Sequence, residues 1–172
     1  MRRLKVDPGL IGAGNHYHSA GLSSDEVNCD ISALRPIRSV LSSRDFWQLQ
    51  DHRQRCEAIG GDLFLRLGRL IRAKMVDAHV VNLSEVPSNV VTGTSRVAYA
   101  IGNGRSEIRT LYHWGYSDTE KHLLPVGGFL GATLIGMAAG QRSTLLNGAG
   151  VAGEVTVLSI IHQPENESRT FC

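Results

Sequence analysis

Residues 96–112 read Arg96-Val97-Ala98-Tyr99-Ala100-Ile101-Gly102-Asn103-Gly104-Arg105-Ser106-Glu107-Ile108-Arg109-Thr110-Leu111-Tyr112, and their pattern decides the fold. Val97, Tyr99 and Ile101 alternate with Arg96, Ala98 and Ala100, the period of two expected of a strand with one face buried. Gly102-Asn103-Gly104 supplies residues that accept the left-handed backbone of a tight hairpin turn. Residues 108–112 then return as a second strand. Further on, Leu124 and Val126 suggest a third strand. Residues 129–135 read as a short helix with Leu130 and Leu134 facing inward, ended by Gly136. A strand near 143–146, a turn at 147–150 and a last strand at 155–162 complete the pattern. That last strand is almost continuous β-branched residues and leucine, so a central place in the sheet is expected.

Before this region the period is that of a helix. Ser42 with Asp45 forms an S-x-x-D start signal, in which the serine oxygen accepts an otherwise unpaired backbone N–H. Phe46, Leu49, Arg53, Cys56 and Ile59 recur at helical spacing, and Gly60-Gly61 stops the helix. A second helix over 62–75 has Asp62 as its expected N-cap and Leu63, Phe64, Leu67, Leu70, Ile71 and Met75 as its apolar face. Two helices joined by a two-residue turn pack antiparallel. At about 14 residues each, they make an arm of roughly 20 Å. The fold class expected is α+β, a short helical hairpin followed by an antiparallel β domain carrying one short helix. The divisions are a flexible tail at 1–38, the hairpin at 39–76, a linker at 77–88 ending in Val86-Pro87, the β domain at 89–164 and a tail at 165–172.

Composition narrows the function classes. Of 172 residues, 42% are hydrophobic and 20% charged, which suits a folded domain that needs no disulfide or metal for its core. A formal net charge of +2 is too small to imply nucleic acid or anionic lipid by itself. The basic residues cluster, with Arg53, Arg55, Arg66, Arg69 and Arg72 in the hairpin. Aromatics make up 6%, too few for a base-stacking surface, so nucleic-acid contact is at most incidental. Cys29, Cys56 and Cys172 stand far apart, which fits a reducing cytosol better than a disulfide framework or a zinc site. The most apolar stretch, 126–140, is too short and glycine-broken for a membrane span. Met1-Arg2-Arg3-Leu4-Lys5 has no apolar run after it, so a cytoplasmic location is expected.

Several motifs have duller readings. Gly148-x-Gly150-x-x-Gly153 matches a dinucleotide fingerprint, but a strand follows it instead of a helix, and a hairpin turn is the better reading. Ser95, Ser159, His113 and His162 fall in or beside strands with nothing to pair them as nucleophile and base. His16, His18 and Cys29 lie in the tail, where a metal site has no scaffold. No catalytic residue, metal ligand, cofactor or small-molecule substrate is assigned, and the chain is read as a non-enzyme.

The order of motifs resembles the Gre/Rnk group of RNA-polymerase-binding factors. Asn89-Val90-Val91-Thr92-Gly93-Thr94-Ser95-Arg96-Val97 is similar to the start of their C-terminal domain. It is followed at the expected spacing by residues 107–112, by Leu124-x-Val126, by Gly131-x-x-Leu134-Ile135-Gly136-x-x-x-Gly140 and by residues 154–158. Leu41-Ser42-x-x-Asp45-x-x-x-Leu49 and Leu70-x-Arg72-Ala73 look like the two arms of the family's hairpin. The resemblance covers roughly residues 40–164. It implies an FKBP-like β domain that docks on RNA polymerase and a hairpin pointing toward the polymerase secondary channel. It further implies an elongation regulator that works by docking, without catalysis. Two alternatives follow from the same family: a transcript-cleavage factor using the tip acids Glu57 and Asp62, or an indirect regulator of nucleoside diphosphate kinase. Glu57, Asp62, Arg53, Arg55, Arg66 and Arg69 are the partner-contact candidates. An FKBP-like fold also raises prolyl isomerisation, which would need Tyr99, Tyr112, Trp114, Tyr116 and Phe129 gathered around a cavity.

Overall fold

A computed structural model describes residues 39–115 and 122–167. The expectations for residues 1–38, with His16, His18 and Cys29, and for Tyr116 and Cys172, lie outside the described residues. All the described elements belong to one unit, residues 35–172.

Helix α1 runs Ser43–Ile59 and α2 Gly61–Asp77. Ser42 caps α1, its Oγ accepting the Asp45 N–H at 2.9 Å. Gly60 and Gly61 both have positive φ, 70° and 78°, which glycine adopts without steric cost. Asp62 is not the N-cap. That place falls to Gly60, and the carboxylate sits in the first turn, where it faces the positive end of the helix dipole. Seventeen residues per helix give about 25 Å, one turn more than expected.

The inner face of α1 also differs from expectation. Asp45, Leu49, His52 and Cys56 are buried, whereas Phe46 and Arg53 are half-buried and Ile59 is exposed. Leu49 and Cys56 fix the stripe, and the helix turns its polar positions 45 and 52 inward because both find buried partners. On α2, Leu67, Gly68 and Ile71 are buried, Phe64, Leu70 and Met75 pack at the margin, and Leu63 is exposed.

The two feet of the hairpin are clasped by a pairing that the sequence did not suggest. Strand β1 (Val40–Ser42) runs parallel to β2 (His79–Val81), with Val40 opposite His79. The stretch read as a linker, 77–88, therefore carries a strand, followed by a 3₁₀ turn at Leu83–Glu85. Val40 N–H also donates to Gly136 O at 3.0 Å, which ties the clasp to the body.

The body is a five-stranded sheet of β3 (Arg96–Ile101), β4 (Glu107–Tyr112), β5 (Leu123–Pro125), β6 (Arg142–Asn147) and β7 (Gly150–His162), in the order β5-β4-β3-β7-β6. The central strand is β3, not β7; β7 lies between β3 and β6 and buries Val155 and Val157 on one face, while Leu158 and Ile161 are exposed. The pairings are antiparallel except β4 with β5, which is parallel. The turn between β6 and β7 is closed by Asn147, whose Oδ1 accepts the N–H groups of Ala149 and Gly150, so Gly148 and Gly150 serve a hairpin. Helix α3 (Phe129–Leu134) covers the sheet, and a short α4 (Pro164–Glu167) follows β7. Glu165 in α4 accepts from the hydroxyls of Thr92 and Thr94 at 2.9 and 2.8 Å, which pins the loop before β3.

Hairpin and sheet share one core. Leu49, Cys56, Leu67 and Ile71 cluster with Val97, Tyr99, Leu111, Leu134, Met137, Val155 and Val157. The hairpin is thus laid along the body. Each such apolar side chain contributes on the order of 1.5–3 kcal/mol when buried, so a detached hairpin would forfeit several times that. At the turn a Cβ on Gly60 or Gly61 would meet nothing within 4 Å. Lys74 adds a polar tie. Its stem is half-exposed, but its ammonium is enclosed and donates to Thr133 O and Ile135 O, carbonyls that the end of α3 leaves open. Burial pushes its pKa down to about 7.

Candidate partner interface

Three buried polar side chains join α1 to the segment after β4. His113 Nε2 lies 3.1 Å from Asp45 Oδ1, and His113 Nδ1 lies 3.2 Å from His52 Nε2. Asp45 Oδ1 also accepts the Gly93 N–H at 3.1 Å, while its Oδ2 is buried without a hydrogen-bond partner among the described residues. Two glycines make the space: a Cβ on Gly93 would fall 2.1 Å from His113 Nε2, and one on Gly127 would fall 2.7 Å from His52 Nδ1. The His52 ring stacks on Trp114 at 3.9 Å, and the Arg55 guanidinium lies 4.1 Å from the same indole. Burial first, then His113 and Arg55, push the His52 pKa down to about 4. Both ring nitrogens of His113 are engaged, so neither is left to act as a catalytic base.

The six partner-contact candidates separate into three groups. Arg53 forms an ion pair with Glu57 one turn along α1 and donates to Gln50 Oε1 at 3.3 Å. Such an exposed i,i+4 pair contributes about 0.5 kcal/mol at most. Arg55 is drawn to Trp114. Asp62 is exposed beside the turn. Arg66 and Arg69 both line a groove of about 360 Å³, together with Leu70, Ala73, Phe129 and Leu146. The hairpin tip is apolar, with Ile59, Leu63 and Leu65 exposed. Among the described residues no group of three His, Cys, Asp or Glu side chains is placed to hold a metal.

A second cleft, of about 620 Å³, lies between the first turn of α1 and the sheet, with Arg44, Gln48, Thr94, His113, Trp114 and His162 among its walls. Two of the five aromatics named for an isomerase pocket, Tyr112 and Trp114, line this cleft, and Tyr99 and Phe129 do not. Tyr99 is buried in the core, its hydroxyl donating to Glu107 Oε2 at 3.1 Å, and Phe129 lines the groove shared with Arg66 and Arg69. No helix is long and apolar enough to cross a membrane among the described residues.

Sequence reasoning missed Asp45, His52, His113 and Trp114 as a set. One signal was available: positions 45, 49, 52 and 56 recur at helical spacing, so polar residues at 45 and 52 fall on the same face as Leu49 and Cys56.

Comparison with known proteins gives consistent relatives. The chain matches no protein-family profile. It is 29% identical over 102 residues to the regulator of nucleoside diphosphate kinase of Escherichia coli K12, covering 59% of this chain and 75% of that protein. The Shigella flexneri protein of the same description matches equally. Among solved structures, the GreA/GreB transcription elongation factor of Nitrosomonas europaea superposes with a TM-score of 0.54 at 22% identity, over 72% of this chain and 99% of that one.

Proposed function

Because the chain is a relative of Rnk, the regulator of nucleoside diphosphate kinase, and has the GreA/GreB fold, we propose that it is a transcription elongation regulator of the Gre/Rnk type. It binds RNA polymerase, docks at the secondary channel and carries no catalysis of its own. The observation that carries this reading is the likeness to Rnk in sequence, with a GreA/GreB factor matching along nearly its whole length in fold. Two features support docking over transcript cleavage. Glu57 and Asp62 are the acids nearest the turn, Glu57 is already paired with Arg53 on its own helix, and two carboxylates at most are a poor ligand set for a divalent cation. The surface beside the tip instead offers arginines over an apolar groove, a pairing suited to an apolar partner surface with an acidic margin. Any influence on nucleoside diphosphate kinase then runs indirectly, through transcription.

Gel filtration with core RNA polymerase tests this. The chain is expected to co-elute at micromolar concentration. The double variant Arg66→Glu/Arg69→Glu is expected to weaken binding on the order of tenfold, and more at low salt than at high. Absence of a complex for the unaltered chain would overturn the reading.

A further inference from the structure

We propose that the groove shared by α2, the start of α3 and the β6–β7 turn is a binding site for a medium-chain aliphatic carboxylate. Arg66 and Arg69 hold its head, and Leu70, Phe129 and Leu146 receive its chain. The inference goes beyond polymerase docking and does not depend on it.

The walls are set by the fold. Leu70 and Ala73 come from α2, Phe129 opens α3, and Leu146, Asn147 and Gly150 flank the turn between β6 and β7. That turn is seated against the hairpin, because a Cβ on Gly148 would fall 2.5 Å from Leu63 Cδ1. Leu70 and Phe129 also pack against the common core, so the groove exists before any ligand arrives. Its volume of about 360 Å³ is at the lower end of the range for small-ligand sites, about 300–1,000 Å³.

The polar groups in the groove suit an anion. Arg66 and Arg69 are three residues apart on one helix, so they are neighbours whose like charges repel. Neither has an ion-pair or hydrogen-bond partner among the described residues. Asp62, one turn before Arg66, is not paired with it. Asn147 uses its side-chain oxygen to accept the N–H groups of Ala149 and Gly150, which leaves its amide nitrogen as a further donor. Among the described residues no carboxylate lines the groove. Side chains that only donate cannot hold a divalent cation, which needs oxygen ligands. Two adjacent guanidinium groups match a carboxylate.

The remaining walls decide what the anion carries. Leu70, Ala73, Phe129 and Leu146 offer nothing to a hydrated inorganic ion, and an apolar chain laid on them removes their surface from water. Phe129 is the one ring in the lining, so no pair of aromatics stands ready to stack a nucleobase. An alkyl chain with an anionic head satisfies both halves of the groove.

Titration of the full, isotope-labelled chain with sodium decanoate, below its micelle concentration and followed by amide NMR, tests this. The amides of Leu70, Ala73, Phe129, Leu146 and Gly150 are expected to shift together and saturate, with a dissociation constant on the order of 100 µM. Octanoate, two methylenes shorter, is expected to bind roughly tenfold more weakly. Arg66→Gln/Arg69→Gln is expected to weaken decanoate binding about tenfold or more. Arg72→Gln/Arg105→Gln removes the same charge outside the groove and is expected to leave the affinity within about twofold. All four arginines are exposed, and the unshifted amides of the sheet verify that each variant is folded. Absence of saturable shifts up to about 1 mM decanoate, shifts centred on the cleft walled by Arg44 and His162, equal affinity for the two acids, or equal weakening by the control pair would each overturn the site. So would a short peptide of leucine flanked by glutamates that shifts these amides where decanoate does not, since the groove would then belong to a protein partner.

Discussion

Gly93→Ala is expected to destabilise the protein by roughly 4 kcal/mol, an overpacking cost of about 1–3 kcal/mol joined by about 1–3 kcal/mol for buried polar groups left unpaired. The added Cβ would sit 2.1 Å from His113 Nε2 and 2.5 Å from Asp45 Oδ1. Both atoms are the ends of buried side chains, and neither can retreat without breaking the bonds that link Gly93, Asp45, His113 and His52. The backbone of Gly93 has little freedom to move away, because Thr92 N–H donates to Ser95 Oγ and Glu165 holds the hydroxyls of Thr92 and Thr94. The urea midpoint at neutral pH measures this cost. A loss under about 1 kcal/mol would mean that the cluster yields easily and is not a close-packed unit.

Leu49→Ala is expected to cost about 3 kcal/mol, the range for truncating a fully buried leucine. Leu49 has no exposed surface and lies in the cluster that contains Tyr99 and Val157 as well as Leu67 and Ile71. The loss should therefore be felt by both parts of the molecule. Thermal melts followed at the helical signal and at the near-ultraviolet signal of the buried tyrosines should shift together, as a single transition. Early melting of the helices with the tyrosine signal unmoved would show a hairpin that folds apart from the sheet.

What the sequence made legible was what is local. The alternation through 96–101 and the Gly102-Asn103-Gly104 turn sit within a few residues of one another, and β3 and β4 pair as that pattern requires. Ser42 and Gly60-Gly61 announce helix ends by their own chemistry. The β1–β2 clasp was not legible, because strands of three residues carry no resolvable alternation and their partners are separated by both helices. The stance of the hairpin was hidden for a related reason. The apolar stripe of α2 says that something covers it, but not whether α1 alone suffices or the sheet takes part. The cluster of Asp45, His113 and His52 needed positions 45, 52 and 113 to be brought together by the tertiary fold. The candidate arginines were readable as a basic face, yet Phe129 and Leu146, which line one groove with Arg66 and Arg69, come from elements that no local pattern connects to α2.

Docking on polymerase in the manner of a Gre factor is tested most directly by competition. Fluorescently labelled chain is bound to core RNA polymerase and titrated with unlabelled GreA. Displacement to completion, with no species carrying both proteins, is the outcome expected of a shared site at the secondary channel. A stable complex containing both at once would contradict it.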